Sequence, residues 1–312
     1  MQRDTTRTIS RVLEALLPEI RVAYEQGGRP LLGLSTGLPK IDEYTGGLKP
    51  DELWIIGATT STGKTAAALG IALTVARQGV GVIYFSLEMS AESLVARLLS
   101  AETNIPPLRL RRGLLSAEEY EDVVQAGEAL RSLPLLIIDR SFTSEELSQH
   151  ALTIAEHEDI GLVVVDYAQI LRDAPTFGEA HRIGAISGNM RELARPTNLN
   201  APVILVSQLN RAISGREDKL PMLSDLKGAS DLEQDAEVVL LPHRPALDAY
   251  RRGEPLREVE EDALIIIGKN RNGPTGALRS RFYPKQMRWS QDPPAMVSLT
   301  PMTQPPTFCD VF

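Results

Sequence analysis

Hydrophobic and polar positions along the chain follow two different periods. Near the N-terminus Ile9, Val12, Leu13, Leu16, Ile20 and Ala23 recur at helical spacing, with Arg11, Glu14, Glu19 and Arg21 on other faces. The spacing predicts one amphipathic helix over residues 5–26, capped by Thr5 or Thr6 and ended by Gly27 and Gly28. Its apolar stripe needs a cover. Packing on its own domain and docking on a neighbouring subunit are both open at this point. Residues 30–39, bounded by prolines, read as a connector.

Beyond residue 39 the pattern alternates. Short runs rich in β-branched residues lie at 53–56, 80–85, 135–138, 162–165, 203–206, 238–241 and 264–267. Helical stretches at 64–77, 91–101 and 116–131 separate the early ones. That alternation predicts an α/β fold, a mostly parallel twisted sheet with helices on both faces. The last run is followed by Asn272-Gly273-Pro274-Thr275-Gly276 and a further run at 278–283, an antiparallel hairpin added at one edge. Residues 291–312 hold Pro293, Pro294, Pro301, Pro305 and Pro306 and are expected to be extended and disordered. The predicted organisation is a helix in residues 1–28, one domain over 29–290, and a tail over 291–312.

Composition narrows the class. With 312 residues, 43% hydrophobic and 24% charged, the chain suits one large α/β domain or two small ones. A net charge of −8 argues against coating nucleic acid with the whole surface. It leaves room for a ring that holds a strand with a few loops in its channel. The single cysteine, Cys309, excludes disulfide scaffolds and cysteine-based zinc sites, and the four histidines are too scattered for ligand spacing. No apolar run approaches the ~18 residues that span a bilayer, and the start lacks a signal-peptide pattern. No membrane association and a cytoplasmic location are therefore expected.

Candidate chemistry gathers at strand ends. Ala58, Thr59, Thr60, Ser61, Thr62, Gly63, Lys64 and Thr65 follow the run at 53–56 and open the helix at 64–77, the setting of a phosphate-binding P-loop. Loop N–H groups and the helix N-terminus then face a β-phosphate. Lys64 reaches the β- and γ-phosphates, and the Thr65 hydroxyl binds Mg²⁺. Ala58 stands where the usual pattern has its first glycine, with Gly57 just before it. A lysine in a helix's first turn opposes the macrodipole unless an anion sits there. Asp166 ends the run at 162–165, and open parallel sheets bind ligands at their carboxyl ends. A carboxylate there would hold the Mg²⁺ shell.

Three further groups each have a plain alternative. Glu88 follows the run at 80–85. Strands after a P-loop strand usually lie beside it, which would turn Glu88 toward the γ-phosphate as base for the attacking water; alone, it is an exposed glutamate starting a helix. Gln208 ends the run at 203–206, either sensing the γ-phosphate or satisfying a turn. Lys269 and Arg271, two apart on a strand, project to one side, either solvated or reaching a neighbour's nucleotide in trans. Residues 211–234 lack a clear period and are too long for an idle loop. Within them Lys227, Gly228, Ala229 and Ser230 form a small-residue run whose N–H groups suit phosphates without reading bases. The alternative is a mobile surface loop.

Taken in order, the motifs resemble one family. They are Ser35-Thr36-Gly37-Leu38-Pro39-Lys40-Ile41-Asp42, Thr45-Gly46-Gly47-Leu48, the P-loop, Phe85-Ser86-Leu87-Glu88-Met89-Ser90, Val165-Asp166-Tyr167-Ala168-Gln169-Ile170, Ser207-Gln208-Leu209-Asn210-Arg211, Ser224-Asp225-Leu226-Lys227, Glu233-Gln234-Asp235-Ala236 and Gly268-Lys269-Asn270-Arg271-Asn272-Gly273-Pro274-Thr275-Gly276. The chain resembles the RecA-like motor domain of DnaB-type replicative helicases, from the first helix to about residue 290. The resemblance implies ATP and Mg²⁺ as cofactors, Glu88 as catalytic base, Gln208 as coupling residue, and Lys269 and Arg271 acting on the adjacent subunit's ATP. It implies a linker helix that docks on a neighbour to close a homo-hexamer, and single-stranded DNA held by residues 227–230 during 5′→3′ movement. A helicase loader or a primase is the implied protein partner. Three features depart from the family: its helical collar is absent before the linker helix, residues 227–230 replace a more polar version, and the proline-containing tail has no counterpart. Two other readings stay open: a RecA- or RadA-like DNA-dependent ATPase without unwinding, and a collarless paralogue that binds another helicase ring. The motif at 85–90 and the Lys269-x-Arg271 hairpin favour the helicase. The intact set Lys64, Glu88, Asp166 and Arg271 counts against an inactive binder.

Overall fold

A computed structural model describes residues 8–291 except 26, 29–30, 176–177, 211–212, 214–215, 217–218, 252, 254 and 256–260. Nine strands form one sheet: β1 (Leu53–Ala58), β2 (Gly81–Ser86), β3 (Leu135–Ile138), β4 (Ile160–Asp166), β5 (Val203–Gln208), β6 (Val238–His243), β7 (Glu261–Asn270), β8 (Gly276–Tyr283) and β9 (Arg288–Ser290). Their order is β3-β2-β4-β5-β1-β6-β7-β8-β9. The first six run parallel, and β7, β8 and β9 extend the edge antiparallel. The expected hairpin is there, with β9 added to it.

The parallel strands are apolar on both faces because helices cover both. Along β1, Trp54 and Ile56 face a core closed by α3 (Lys64–Arg77), while Leu53 and Ile55 face one closed by α8 (Glu179–Ala194). The remaining helices are α1 (Ile9–Glu25), α2 (Pro39–Thr45), α4 (Ala91–Thr103), α5 (Pro107–Arg112), α6 (Ala117–Arg131), α7 (Ser144–Ala155), α9 (Ala229–Asp235) and α10 (Pro245–Arg251). Part of the stretch read as a connector thus begins α2. No described helix is long and apolar enough to cross a membrane. Residues 292–312, expected to be disordered, lie outside the described residues, as do Thr5 and Thr6.

Two expectations change. Strand β2 does not lie beside β1. The chain moves outward to β2 and β3, then returns, and β4 and β5 fill the gap, so β1 pairs with β5 and β6. The apolar stripe of α1 does not pack on its own domain: Val12, Leu13, Leu16 and Ile20 are 42–54% exposed.

Candidate active site

Strand β1 delivers Ala58, fully buried, to the mouth of the loop. Thr59 Oγ1 and Thr62 Oγ1 share a hydrogen bond at 2.8 Å that draws the loop together. The loop closes on Gly63, with φ of 101°, where a Cβ would lie 2.9 Å from Phe282 and 3.0 Å from the Trp289 indole nitrogen. That close approach is why glycine precedes Lys64. Trp289 Nε1 donates to the Gly63 carbonyl at 3.0 Å, so β8 and β9 wall the loop. Gln208 Nε2 donates to Thr60 Oγ1 at 2.9 Å. Arg244 Nη1 donates to the Ser61 carbonyl at 3.0 Å, and Arg251 Nη2 to the Thr60 carbonyl at 2.7 Å.

Lys64 opens α3, with its Nζ 3.6 Å from Glu88 Oε2 and 4.3 Å over the Tyr167 ring. Glu88 therefore meets Lys64 although their strands are not neighbours. The turn after β2 is tied to the end of β4 through Leu87 N to the Asp166 carbonyl, 2.9 Å. Asp166 is buried beneath this pair. Tyr84 donates to its Oδ2 at 3.0 Å, and its Oδ1 is buried without a hydrogen-bond partner among the described residues. Burial pushes the Asp166 carboxyl up, while the Thr65 hydroxyl, the Lys64 charge and the Tyr84 phenol pull it back. A buried, unsatisfied carboxylate oxygen costs on the order of 1–3 kcal/mol. Beside the buried Thr65 hydroxyl, it fits the donor set of a hard cation such as Mg²⁺.

Behind the loop, Gln169 organises the end of β5. Its Oε1 accepts from Gln208 N at 3.0 Å, and its Nε2 donates to Ser207 Oγ at 3.0 Å. From Gln208 the chain pairs with the segment before α9. Leu209 bridges Leu226, and Lys227 N donates to the Gln208 carbonyl at 3.4 Å. Residues 227–230 are not an open loop. Gly228, with φ of 85°, caps α9, and Ala229 and Ser230 lie in its first turn. The reason is packing, since Leu232 and Ala236 are buried in the core on the α8 side. A Cβ on Gly228 would lie 2.9 Å from Ile183 of α8. Lys227 and Ser230 stay exposed.

Lys269 and Arg271 lie elsewhere. The β6–β7 register pairs Val238 with Asn270, and Val238 pairs with Trp54 near the start of β1. Both basic residues therefore sit at the amino edge of the parallel strands, opposite the P-loop. Trp54 and Ala58 alone are separated by about 13 Å of strand. Lys269 Nζ bonds the Glu233 carbonyl and lies 3.4 Å from that of Gln234. Arg271 Nη1 is 3.2 Å from Glu237 Oε1, with its side chain 56% exposed.

The sequence reading missed Arg244, Arg251, Tyr167, Gln169 and Trp289. Position after β6 was the one readable signal for Arg244, because a strand beside β1 ends beside its loop. Arg251 and Trp289 reach the loop from far along the chain and left no local mark.

Comparison with known proteins agrees with this geometry. The family model of the DnaB-like helicase C-terminal domain matches residues 33–291. The replicative DNA helicase DnaB of Helicobacter pylori is 32% identical over 92% of this chain and 65% of its own length. That of Geobacillus stearothermophilus is 34% identical over 88% and 60%. The chain thus spans somewhat under two thirds of these relatives. Among solved structures, one isolated ATPase domain has a TM-score of 0.79 at 26% identity, covering 90% of this chain and 99% of that one. A DnaB-like replicative helicase, solved with a view to its interactions with primase, has a TM-score of 0.80 at 27% identity, covering 91% and 69%. With its P-loop, its buried strand-end carboxylate and its sheet order in place, the chain belongs to the DnaB-like helicase C-terminal domain family.

Proposed function

We propose that the chain is an ATP-driven DNA helicase motor that moves 5′→3′ on single-stranded DNA as a homo-hexameric ring during replication in the cytoplasm. One observation carries the ring: Lys64, Thr65, Glu88 and Asp166 form one half of a hydrolytic site, while Lys269 and Arg271 lie at the far edge of the same sheet. One chain holds both halves but cannot bring them together.

In this reading the P-loop and Lys64 bind the phosphates of ATP. Thr65 and Asp166 hold Mg²⁺, which neutralises phosphate charge. Glu88, half exposed beside Lys64, orients the attacking water and takes its proton. Gln208 touches the loop at Thr60 and, through its carbonyl, Lys227. It is thereby placed to link the state of the phosphates to residues 227–230, which contact the DNA backbone.

The exposed stripe of α1 and an apolar groove of about 940 Å³ between α4, α5 and α6 support ring closure. Val95, Leu99, Leu110, Leu115, Tyr120 and Val123 line that groove. The helix of one copy seats in the groove of the next. Leu13→Asp with Leu16→Asp places two charges in that contact, a cost of several kcal/mol where the face is desolvated. Native mass measurement should show the ring lost while circular dichroism shows the monomer still folded. An unchanged oligomer would reject the interface. A primase or a helicase loader is the proposed protein partner, supported by the primase interactions of the related solved helicase.

The decisive experiment is forked-DNA unwinding alongside native mass measurement, with and without ATP. A ring that unwinds supports the reading. DNA-stimulated hydrolysis without unwinding would favour a RecA-like ATPase, and binding to another helicase ring without hydrolysis would favour a modulating paralogue.

A further inference from the structure

Glu179, the first residue of α8, holds two cations at once. Its Oε1 lies 3.4 Å from Lys227 Nζ and 2.8 Å from Arg182 Nη2, while Oε2 accepts from Arg182 Nε at 2.8 Å. The two partners differ in kind. Lys227 is about half exposed and its pair with Glu179 faces solvent, whereas the Arg182 side chain is almost wholly buried. Arg182 also donates to the Leu171 carbonyl at 2.7 Å and the Gln169 carbonyl at 3.1 Å. Gln169 in turn clamps Ser207 and Gln208, and Gln208 touches Thr60 of the P-loop. A continuous polar path thus runs from Lys227 through Glu179, Arg182 and Gln169 to the nucleotide loop.

A carboxylate is a fair imitation of a phosphate oxygen toward a lysine. Solvent-facing ion pairs are weak and exchange readily. The buried end, where the Arg182 guanidinium donates to both Glu179 oxygens and to two carbonyls, is the fixed one.

We infer that Glu179 is a positioning residue that stands in for a DNA phosphate: it holds Lys227 until a strand arrives, yields it to the phosphate, and passes the exchange through Arg182 and Gln169 to Gln208. The inference rests on the DNA-motor reading above and adds an internal competitor to it. The competitor keeps Lys227 from gripping other anions and makes arrival of the strand a signal at the phosphate end.

The test uses the full chain, fluorescent oligo-dT and a non-hydrolysable ATP analogue. Glu179→Gln frees Lys227 and should bind oligo-dT about fivefold tighter than wild type, the scale of an exposed pair. Its salt dependence should steepen by about 0.7, one further single-strand phosphate contact. Lys227→Ala should weaken binding, and the double variant should bind like Lys227→Ala, since no lysine remains to compete for. Glu179→Asp keeps the Arg182 pair while drawing the carboxylate back from Lys227. It should give the same sign with a smaller gain, and it guards against a folding defect in the glutamine variant.

The ratio of DNA-stimulated to DNA-free ATPase should also fall in Glu179→Gln, because the released state is reached without DNA. A gain that persists undiminished in the Lys227→Ala background would mean general electrostatics and overturn the inference. So would wild-type affinity in Glu179→Gln, and an unchanged stimulation ratio would overturn the relay. If wild type binds no oligo-dT at all, the DNA-motor reading itself fails. If wild type binds, Lys227→Ala weakens it and Glu179→Gln changes nothing, only the inference fails.

Discussion

Lys64→Ala and Glu88→Ala should each abolish ATP turnover, by separable routes. Lys64 opens α3 and projects into the space framed by Glu88, Tyr167 and Asp166. Its ammonium serves both the bound phosphates and the charge that builds as they are cleaved, so its loss should weaken nucleotide binding as well as turnover. Glu88 acts on the water. Removing a general base costs typically 10²–10⁴ in rate and leaves the contacts to ATP in place. Glu88→Ala should therefore bind a fluorescent ATP analogue as wild type does, and keep its ring, while turning over at least about a hundredfold more slowly. Removing the carboxylate 3.6 Å from Lys64 also leaves that ammonium freer to engage phosphate, so affinity should hold or rise. Stopped-flow binding and steady-state hydrolysis on the same preparations separate the two variants. Hydrolysis by Glu88→Ala within a factor of a few of wild type would assign the base elsewhere.

How much of this was legible in the sequence depends on how local each signal was. The P-loop was, because strand, loop and helix are contiguous; α3 has the bounds its pattern predicted. The parallel strands were too, since burial on both faces writes them as unbroken apolar runs. Helix α7 carried a readable capping box, Thr143 with Glu146, yet its apolar face is narrow and it was not separated out. Helix α8 was hidden by its glycines. Gly184 lies where a Cβ would sit 2.1 Å from the Asp231 carboxylate of α9, so close helix packing removes the residue types that announce a helix. Short α9 was hidden by length, with seven residues that hold only as the core covers Leu232.

Sheet order was the larger gap. Sequence order put β2 beside β1, whereas β4 and β5 separate them, and Glu88 meets Lys64 only because the turn after β2 is bonded to the end of β4. Long-range pairing of that kind leaves no periodic trace. The arginines that grip the loop, Arg244 and Arg251, are a second instance: they act on Ser61 and Thr60 from more than 180 residues away.

Arg271→Ala should cripple hydrolysis while leaving nucleotide affinity nearly intact, and the loss should appear in the neighbour's site. The sheet register is the reason. Arg271 follows Asn270, which pairs with Val238 at the start of β6, while the P-loop leaves the opposite end of β1. Its own nucleotide is out of reach, and Glu237, buried and also paired with Arg191, holds the guanidinium at the sheet edge. An arginine finger is worth roughly 10³–10⁵ in rate, far more than the surface pair it would leave. Because the residue serves another subunit, two inactive proteins should complement. Rings mixed from Arg271→Ala and Lys64→Ala subunits contain some sites with Lys64 from one chain and Arg271 from the next, and those sites should hydrolyse ATP. Activity should rise from baseline in both pure samples to a maximum at intermediate mixing, a profile that no cis arrangement gives. A titration of either variant into wild type fixes how many intact sites a ring needs to turn over, which sets the height of that maximum. Mixed rings verified by native mass that stay inactive across the whole titration, while wild-type-doped rings retain activity in proportion to intact interfaces, would make Arg271 a strut for Glu237 and remove it from the neighbour's chemistry.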